Sequence, residues 1–307
     1  MKSILALSAL AAAASAKTAL MVPYYISPYG PGMQDWDALV NAIEKYPALD
    51  FYIILNDQGG CPWGTNPANP CNPLSPGLRD YAKYLGRINA RSNTKLIGYV
   101  ATGFGARDIA EVKQGVDDYA QWATMLDWDN KNQNISMHGV FFDEINASAS
   151  QDARNLEMTN YAKSKLSNVV LNPGVSVTTT NESLWNSATA ILNLETCYTK
   201  DHDKAYDGKP PNIVYRCPLG YPPFTPALLD QLPTDASKVA KSSVVVHDFY
   251  ETWNPYVPAS KSTFETDATA IVKKGVHSFY ISQYGYQGNF TMGPASISEV
   301  ARIAASA

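Results

Sequence analysis

The feature that most constrains the fold is an alternation of short apolar runs with longer amphipathic stretches. The runs are rich in β-branched and aromatic residues, as buried strands are, and they cover residues 19–25, 50–56, 95–101, 138–145, 168–171, 190–195, 243–250 and 276–283. Helical spacing of apolar residues follows most of them, over residues 36–46, 78–90, 109–126, 153–166, 227–239, 264–274 and 297–304. The stretch after the fifth run, around Leu184 and Trp185, is short.

Eight strand-then-helix units in a chain of this size predict a (β/α)8 TIM barrel, an α/β fold. An open, doubly wound sheet is the alternative, although no Gly-x-Gly-x-x-Gly motif follows a strand. No linker or fixed-period repeat divides the chain, so we expect a single domain over residues 17–307.

The first sixteen residues have the pattern of a secretory signal peptide. Lys2 is followed by an apolar run and by Ala14-Ser15-Ala16, which predicts cleavage after Ala16. That run is shorter than the roughly 20 residues a membrane helix needs, and no later segment approaches this length. We therefore expect a secreted protein, extracellular or associated with the cell wall and not held in a membrane.

The cysteines and sequons of an exported chain can form disulfides and carry glycans. The four cysteines predict two disulfides with open connectivity, of which nearest-neighbour pairing is one possibility, and they are Cys61, Cys71, Cys197 and Cys217. Four sequons are candidate glycan acceptors: Asn134, Asn146, Asn181 and Asn289. A glycan on Asn146 would lie close to the two adjacent acids Asp143 and Glu144.

Acidic side chains stand where two predicted strands end. The fourth run ends in Asp143 and Glu144, and the sixth ends in Glu195. A barrel keeps its active site at this end of its strands, and two carboxyls in one cleft are the equipment of a glycoside hydrolase. Alternation prevents Asp143 and Glu144 from both facing the interior of a regular strand, and Asn193, of the same parity as Glu195, favours an inward Glu195.

Other polar and aromatic residues lie at or near strand ends and are expected to contact a substrate: Tyr24, Tyr25, Asn56, Asn193, Tyr198, Asp248, Gln283 and Tyr284. His247 and Asp248 could hold a divalent metal together with Asp143. We nevertheless predict no metal and no cofactor, because the histidines lack the spacing of a helical zinc site. A net charge of −4 without a basic run argues against nucleic acid and anionic membranes as partners.

These motifs carry a family resemblance. The runs Val140-Phe141-Phe142-Asp143-Glu144, Leu171-Asn172-Pro173-Gly174 and Asn193-Leu194-Glu195 resemble, in that order, the spherulin-4 or spherulation-specific family, and the likeness extends from Val22 to Gln283. The residues after the second strand, Asn56 to Cys61, depart from the family pattern and leave the substrate open.

The resemblance implies a (β/α)8-barrel glycoside hydrolase, endo-acting on α-1,4 linkages of galactosamine- or N-acetylgalactosamine-containing exopolysaccharide, and retaining. It implies Asp143 as nucleophile, Glu195 as general acid/base and Glu144 in support, with the roles of Asp143 and Glu144 exchangeable. We expect a monomer with a polysaccharide as its partner. A secreted barrel that binds carbohydrate at a cell wall or spore without cleaving it is the alternative.

Overall fold

The computed structural model describes residues 17–26, 32–56, 76–124, 133–177, 181–198, 222–252, 256–283 and 290–306, with the backbone alone over 76–81. Eight parallel strands close into a barrel: β1 (Ala19–Pro23), β2 (Phe51–Leu55), β3 (Thr94–Ala101), β4 (Gly139–Asp143), β5 (Asn168–Leu171), β6 (Ala190–Cys197), β7 (Ser242–His247) and β10 (Ser278–Ile281). A small antiparallel pair, β8 (Tyr250–Thr252) and β9 (Val257–Pro258), follows β7. The predicted (β/α)8 barrel is confirmed.

Helices connect the barrel strands: α1 (Gly32–Lys45), α2 (Pro76–Asn89), α3 (Ile109–Gln121), α4 (Asp152–Lys165), α5 (Glu182–Ser187), α6 (Ala236–Val239), α7 (Lys261–Lys273) and α8 (Ile297–Ser306). The expectation of one helix over residues 227–239 is wrong. A 3-10 helix spans Pro226–Gln231, and α6 begins only after Pro233. Proline disfavours helical geometry in the residue before it, and Leu232 is extended accordingly.

The direction of side chains can be read from β3. Gly98 makes room for Tyr119 of α3, because a Cβ added at Gly98 would lie 2.3 Å from that ring. Gly98 therefore faces the outer helices, and its neighbour Tyr99 faces the barrel interior. Tyr99 pairs with Phe141 and Ala101 pairs with Asp143, so Asp143 also faces inward.

A β-bulge in β6 changes the alternation before Glu195. Leu192 pairs with Ser243 and Leu194 with Val244, which leaves Asn193 as an extra residue. The side chain of Asn193 is buried, accepts a hydrogen bond from the backbone N–H of Val177 at 2.5 Å and donates to Ser242 Oγ at 3.4 Å.

The bulge corrects two expectations. Asn193 is a structural residue that fixes the β5–α5 connection, so its expected contact with a substrate has no support. It also does not share a face with Glu195: the extra residue shifts the alternation by one and turns Glu195 inward.

None of the helices in the described part of the chain is long and apolar enough to cross a membrane.

Candidate active site

One asparagine joins the carboxyl groups of Asp143 and Glu195. Asn172, just past the end of β5, donates from Nδ2 to Asp143 Oδ1 at 2.8 Å and to Glu195 Oε2 at 2.7 Å. Two oxygens that share one donor nitrogen lie no farther apart than the sum of these distances, about 5.5 Å. The structure therefore brings residues from β4 and β6 to one point above β5.

The second oxygen of Asp143 is also hydrogen-bonded. Tyr99 donates its hydroxyl to Asp143 Oδ2 at 2.6 Å. The ring of Tyr99 stacks near Phe141, with centroids 6.0 Å apart, and meets the ring of Tyr25 edge-on at 5.8 Å. With Asn172 on one oxygen and Tyr99 on the other, Asp143 has two donors that favour its ionised form.

The pKa of Asp143 is raised to about 6, and burial is the largest cause. The hydrogen bond from Tyr99 lowers this pKa, while the negative charge of Glu195 raises it. The backbone N–H of Glu144 bonds to the carboxylate and lowers the pKa, whereas the charge of Glu144 raises it. The side chain thus changes charge within the mildly acidic range.

Glu144 lies just beyond β4 in left-handed backbone, with φ of 56°. Its carbonyl accepts hydrogen bonds from Thr102 Oγ1 at 2.6 Å and from the N–H of Phe104 at 2.7 Å. Strand alternation therefore does not govern its side chain, and both acids of the pair lie at the barrel mouth. The connection after β3 is held to the same place.

The tyrosine that follows β1 contributes to the same environment. Tyr25 is half-buried, and burial raises the pKa of its phenol, with further contributions from the charges of Asp143 and Glu195. Its phenol therefore lies near both carboxylates, as expected for a residue that contacts a substrate there. Asn56, also expected at the site, is exposed directly after β2.

A sequence model described as spherulation-specific family 4 matches residues 19–303, which include every barrel strand. The chain belongs to this family. Spherulin-4 from Physarum polycephalum is 29% identical over 158 residues, which cover 50% of this chain and 39% of that relative's length. The curated relative is thus much longer than the part that matches.

A solved structure has the same fold as this family 4 chain. Sph3 from Aspergillus clavatus, determined in complex with GalNAc, matches with a TM-score of 0.64 and 23% identity. The match covers 94% of this chain and 98% of that one. The likeness is therefore one of fold over nearly the whole domain.

Two tyrosines expected to contact substrate in this family 4 barrel are packed elsewhere. Tyr24 is 1% exposed, and its ring meets Trp36 of α1 edge-on at 4.7 Å. Tyr198 is buried, donates to Glu251 Oε1 at 2.9 Å and packs its ring 4.2 Å from that of Phe249. Both expectations lack support, because these rings are committed to the core and to the segment carrying β8.

Asp248 and Gln283 are also buried. Asp248 Oδ2 lies 2.5 Å from His247 Nδ1, and both side chains are 2% exposed. Gln283 donates to the hydroxyl of Tyr256 and is 3% exposed. The expected role of either in substrate binding is unsupported at this burial. Within the described ranges, no group of three or more His, Cys, Asp or Glu side chains is placed to hold a metal ion.

The predicted disulfides are described only in part. Cys197 is buried and disulfide-bonded. The other three predicted cysteines, Cys61, Cys71 and Cys217, lie outside the described residues, and its partner is one of them. Tyr284, Asn289 and the predicted signal peptide also lie outside the described residues. The pairing of the cysteines stays a prediction.

Three of the predicted glycan acceptors can be compared. Asn146 donates from Nδ2 to the carbonyl of Phe104 at 3.2 Å, and Asn181 donates from Nδ2 to the carbonyl of Ala147. Asn134 is exposed, and its bond at 3.0 Å uses Oδ1, which accepts from the N–H of Ser136. Of these three, Asn134 is the sequon whose amide nitrogen is best placed to carry a glycan.

Sequence reasoning missed two residues of the site, Asn172 and Tyr99. A signal existed for each: Asn172 is a polar residue directly after β5, and Tyr99 has the parity that faces inward two residues before β3 ends. In the structure, Asn172 donates to both carboxyl groups and Tyr99 donates to Asp143.

Proposed function

We propose that this protein is a secreted, retaining glycoside hydrolase that cleaves within galactosamine- or N-acetylgalactosamine-containing polysaccharide chains at α-1,4 linkages. The observation that carries the proposal is the shared donation from Asn172 to Asp143 and Glu195. Retaining glycosidases place their carboxyl groups about 5 to 5.5 Å apart, whereas inverting enzymes leave roughly 6.5 to 9.5 Å for a water molecule. The upper limit of about 5.5 Å between two of these oxygens favours the retaining geometry.

Asp143 has the surroundings of a nucleophile. Donors on both of its oxygens favour the carboxylate, and their bonds fix its orientation. In the first step Asp143 bonds to the anomeric carbon, and the bond from that carbon to the leaving oxygen breaks. Glu195 gives its proton to that oxygen as the bond breaks.

The second step reverses the role of Glu195. It removes a proton from water, the resulting oxygen bonds to the anomeric carbon, and the ester to Asp143 breaks. Each displacement inverts the configuration of the anomeric carbon, so the product of the two steps has the same anomeric configuration as the substrate. Glu144 supports this cycle through its backbone N–H, which bonds to the Asp143 carboxylate and lowers its pKa.

The substrate class rests on chemistry and on similarity. Sph3, which has a similar fold, was crystallised in complex with GalNAc, and this similarity favours a related sugar as the substrate of this protein. The mouth of the barrel combines acidic groups with the rings of Tyr25 and Tyr99. A partly deacetylated, cationic polymer would be attracted by both kinds of group.

The proposal is tested by incubating the mature protein with galactosaminogalactan and measuring released reducing ends, beside Asp143→Asn and Glu195→Gln. Both substitutions keep size and remove the ionisable group, so we expect at least a hundredfold loss of turnover, as for removal of a general acid or base. Early product analysed by NMR should carry the α configuration. The β configuration would contradict the retaining step.

The same experiment also tests the alternative that the protein binds carbohydrate without cleaving it. Wild type and both variants could be equally inactive on several wall polysaccharides while still binding one of them. That result would replace the hydrolase with a carbohydrate-binding barrel.

A further inference from the structure

Large exposed apolar side chains of the described residues concentrate at one end of the barrel. They are Met33, Phe104, Leu156, Val175, Tyr256, Val257 and Met292. All except Leu156, which lies in α4, fall in a connection after a barrel strand or in the first turn of the next helix. The carboxyl ends of parallel strands meet at one face of the barrel, where Asp143 and Glu195 lie.

Phe104 is the most exposed of these side chains, at 56%. Its backbone is left-handed, with φ of 52° and ψ of 34°, and it stands between Gly103 and Gly105, which also have positive φ. A bulky residue is strained in this conformation, whereas glycine adopts it freely. An exposed ring at a position that glycine would suit better contributes little to the fold, which points to a role outside it.

Hydrogen bonds fix the backbone of Phe104 beside the acids. The N–H of Phe104 donates to the carbonyl of Glu144 at 2.7 Å, and its own carbonyl accepts from Asn146 Nδ2 at 3.2 Å. Glu144 directly follows Asp143 in the chain. Phe104 is therefore held at the rim of the barrel next to the proposed nucleophile.

A second aromatic residue lies across the barrel. Tyr256 is 37% exposed between β8 and β9, which follow the seventh barrel strand, whereas Phe104 follows the third. In the strand order of the barrel, β4 with Asp143 and β6 with Glu195 lie between these two strands. The connections that carry the two exposed rings thus lie on either side of the strands that carry the carboxyl groups.

We infer that Phe104 and Tyr256 are stacking platforms for sugar rings on the two sides of the cleavage position, so that the protein holds a polysaccharide across the mouth of the barrel. The carbon-bound hydrogens of a sugar form an apolar face that packs on an aromatic ring, and the ammonium of a deacetylated unit is attracted to the same ring. The inference rests on the proposed function for its substrate, and it explains why cleavage would be internal to a chain.

Binding is measured in an Asp143→Asn background, by electrophoresis through gels containing galactosaminogalactan, so that turnover does not remove the polymer. We compare Phe104→Gly, Phe104→Trp and Tyr256→Ala with Leu156→Ala, an exposed apolar side chain on the α4 surface. Phe104→Gly and Tyr256→Ala should each bind the polymer about five- to tenfold more weakly, as expected for part of a ring buried against a sugar. Phe104→Trp should bind the polymer as tightly as the parent, because it keeps an aromatic ring at this position.

Two further readouts separate a platform from a structural effect. Phe104→Gly should unfold at a temperature no lower than its parent, because glycine removes the strain at φ of 52°. Binding of GalNAc alone should be unchanged, because only a longer chain reaches the rim. Polymer binding by Phe104→Gly equal to that of Leu156→Ala overturns the inference and leaves the proposed hydrolase untouched.

The remaining outcomes are also decisive. If the parent binds no galactosaminogalactan, both the inference and the proposed substrate fail. If ring-dependent binding is found but wild-type protein releases no reducing ends, the platforms stand and the hydrolase fails.

Discussion

Asn172 shows how much one side chain decides in this site. Its Oδ1 accepts from the N–H of Gly174 at 3.0 Å, which leaves Nδ2 and its two hydrogens to face the carboxylates. A backbone N–H can only donate, so the orientation of the amide is fixed by its neighbours. An aspartate here would place a third negative charge between two acids, and an alanine would leave both acids without this donor.

The pKa of Asp143 gives a pair of predictions with opposite signs. Tyr99→Phe removes a donor to the carboxylate, so the pKa should rise from about 6 and the acidic limb of kcat/KM should move to higher pH. Glu144→Gln removes a nearby negative charge, so the limb should move to lower pH. Each displacement should be about half to one pH unit in pH profiles of reducing-end release. If the acidic limb moved in the same direction in both variants, this electrostatic account would be contradicted.

At the scale of elements, the bulge in β6 determines which way Glu195 faces. Asn193 stabilises the bulge by bonding to the connection after β5 and to the first residue of β7. A regular strand would turn the carboxyl of Glu195 away from Asn172. The site therefore depends on a buried polar residue that does not itself face it.

Asn193→Ala should lower the free energy of unfolding by about 2 kcal/mol, because the buried N–H of Val177 loses its acceptor. Turnover should fall as well, since Glu195 would no longer be held in register. Ser176→Ala is the matched control: it removes a bond of 3.0 Å to the carbonyl of Asn193 but leaves the Asn193 side chain in place. Chemical denaturation would contradict the role of the bulge if the two variants were equally stable.

At the scale of the whole molecule, two buried groups with opposite pKa shifts make stability depend on pH in opposite directions. Asp267 of α7 is 4% exposed, and burial raises its pKa to about 6. The unfolded chain ionises it near 3.9, so this group destabilises the fold increasingly as pH rises from about 4 to about 6. His277 has the reverse effect: burial lowers its pKa to about 4, and stability is lost as pH falls from about 6.5 to about 4.

Asp267→Asn should therefore be more stable than wild type at pH 7, by up to about 3 kcal/mol, and equal to it near pH 4. The measurement is thermal unfolding across this pH range. Asp230→Asn serves as control, because that side chain is 85% exposed in its ion pair with Lys274 and should change stability little at any pH. A difference between Asp267→Asn and wild type that did not vary with pH would contradict the assignment.

Much of the fold was accessible from the sequence because the signals are local. Each buried strand is a short β-branched or aromatic run, and each helix carries apolar residues at helical spacing, so eight alternations predict the barrel. The same alternation put the acids at strand ends. The helical part of the connection after the sixth strand was harder to predict, since apolar spacing over residues 227–239 outweighed the signal of Pro233.

The sequence by itself determined the barrel and the strands that carry Asp143 and Glu195, because hydrophobic periodicity needs only neighbours along the chain. Tertiary structure alone decided that Asn172 lies between them, that Tyr99 reaches Asp143, and that a bulge turns Glu195 inward. These facts depend on the register between strands distant in sequence. One extra residue in a strand reverses every side chain beyond it, and no local pattern records which residue is extra.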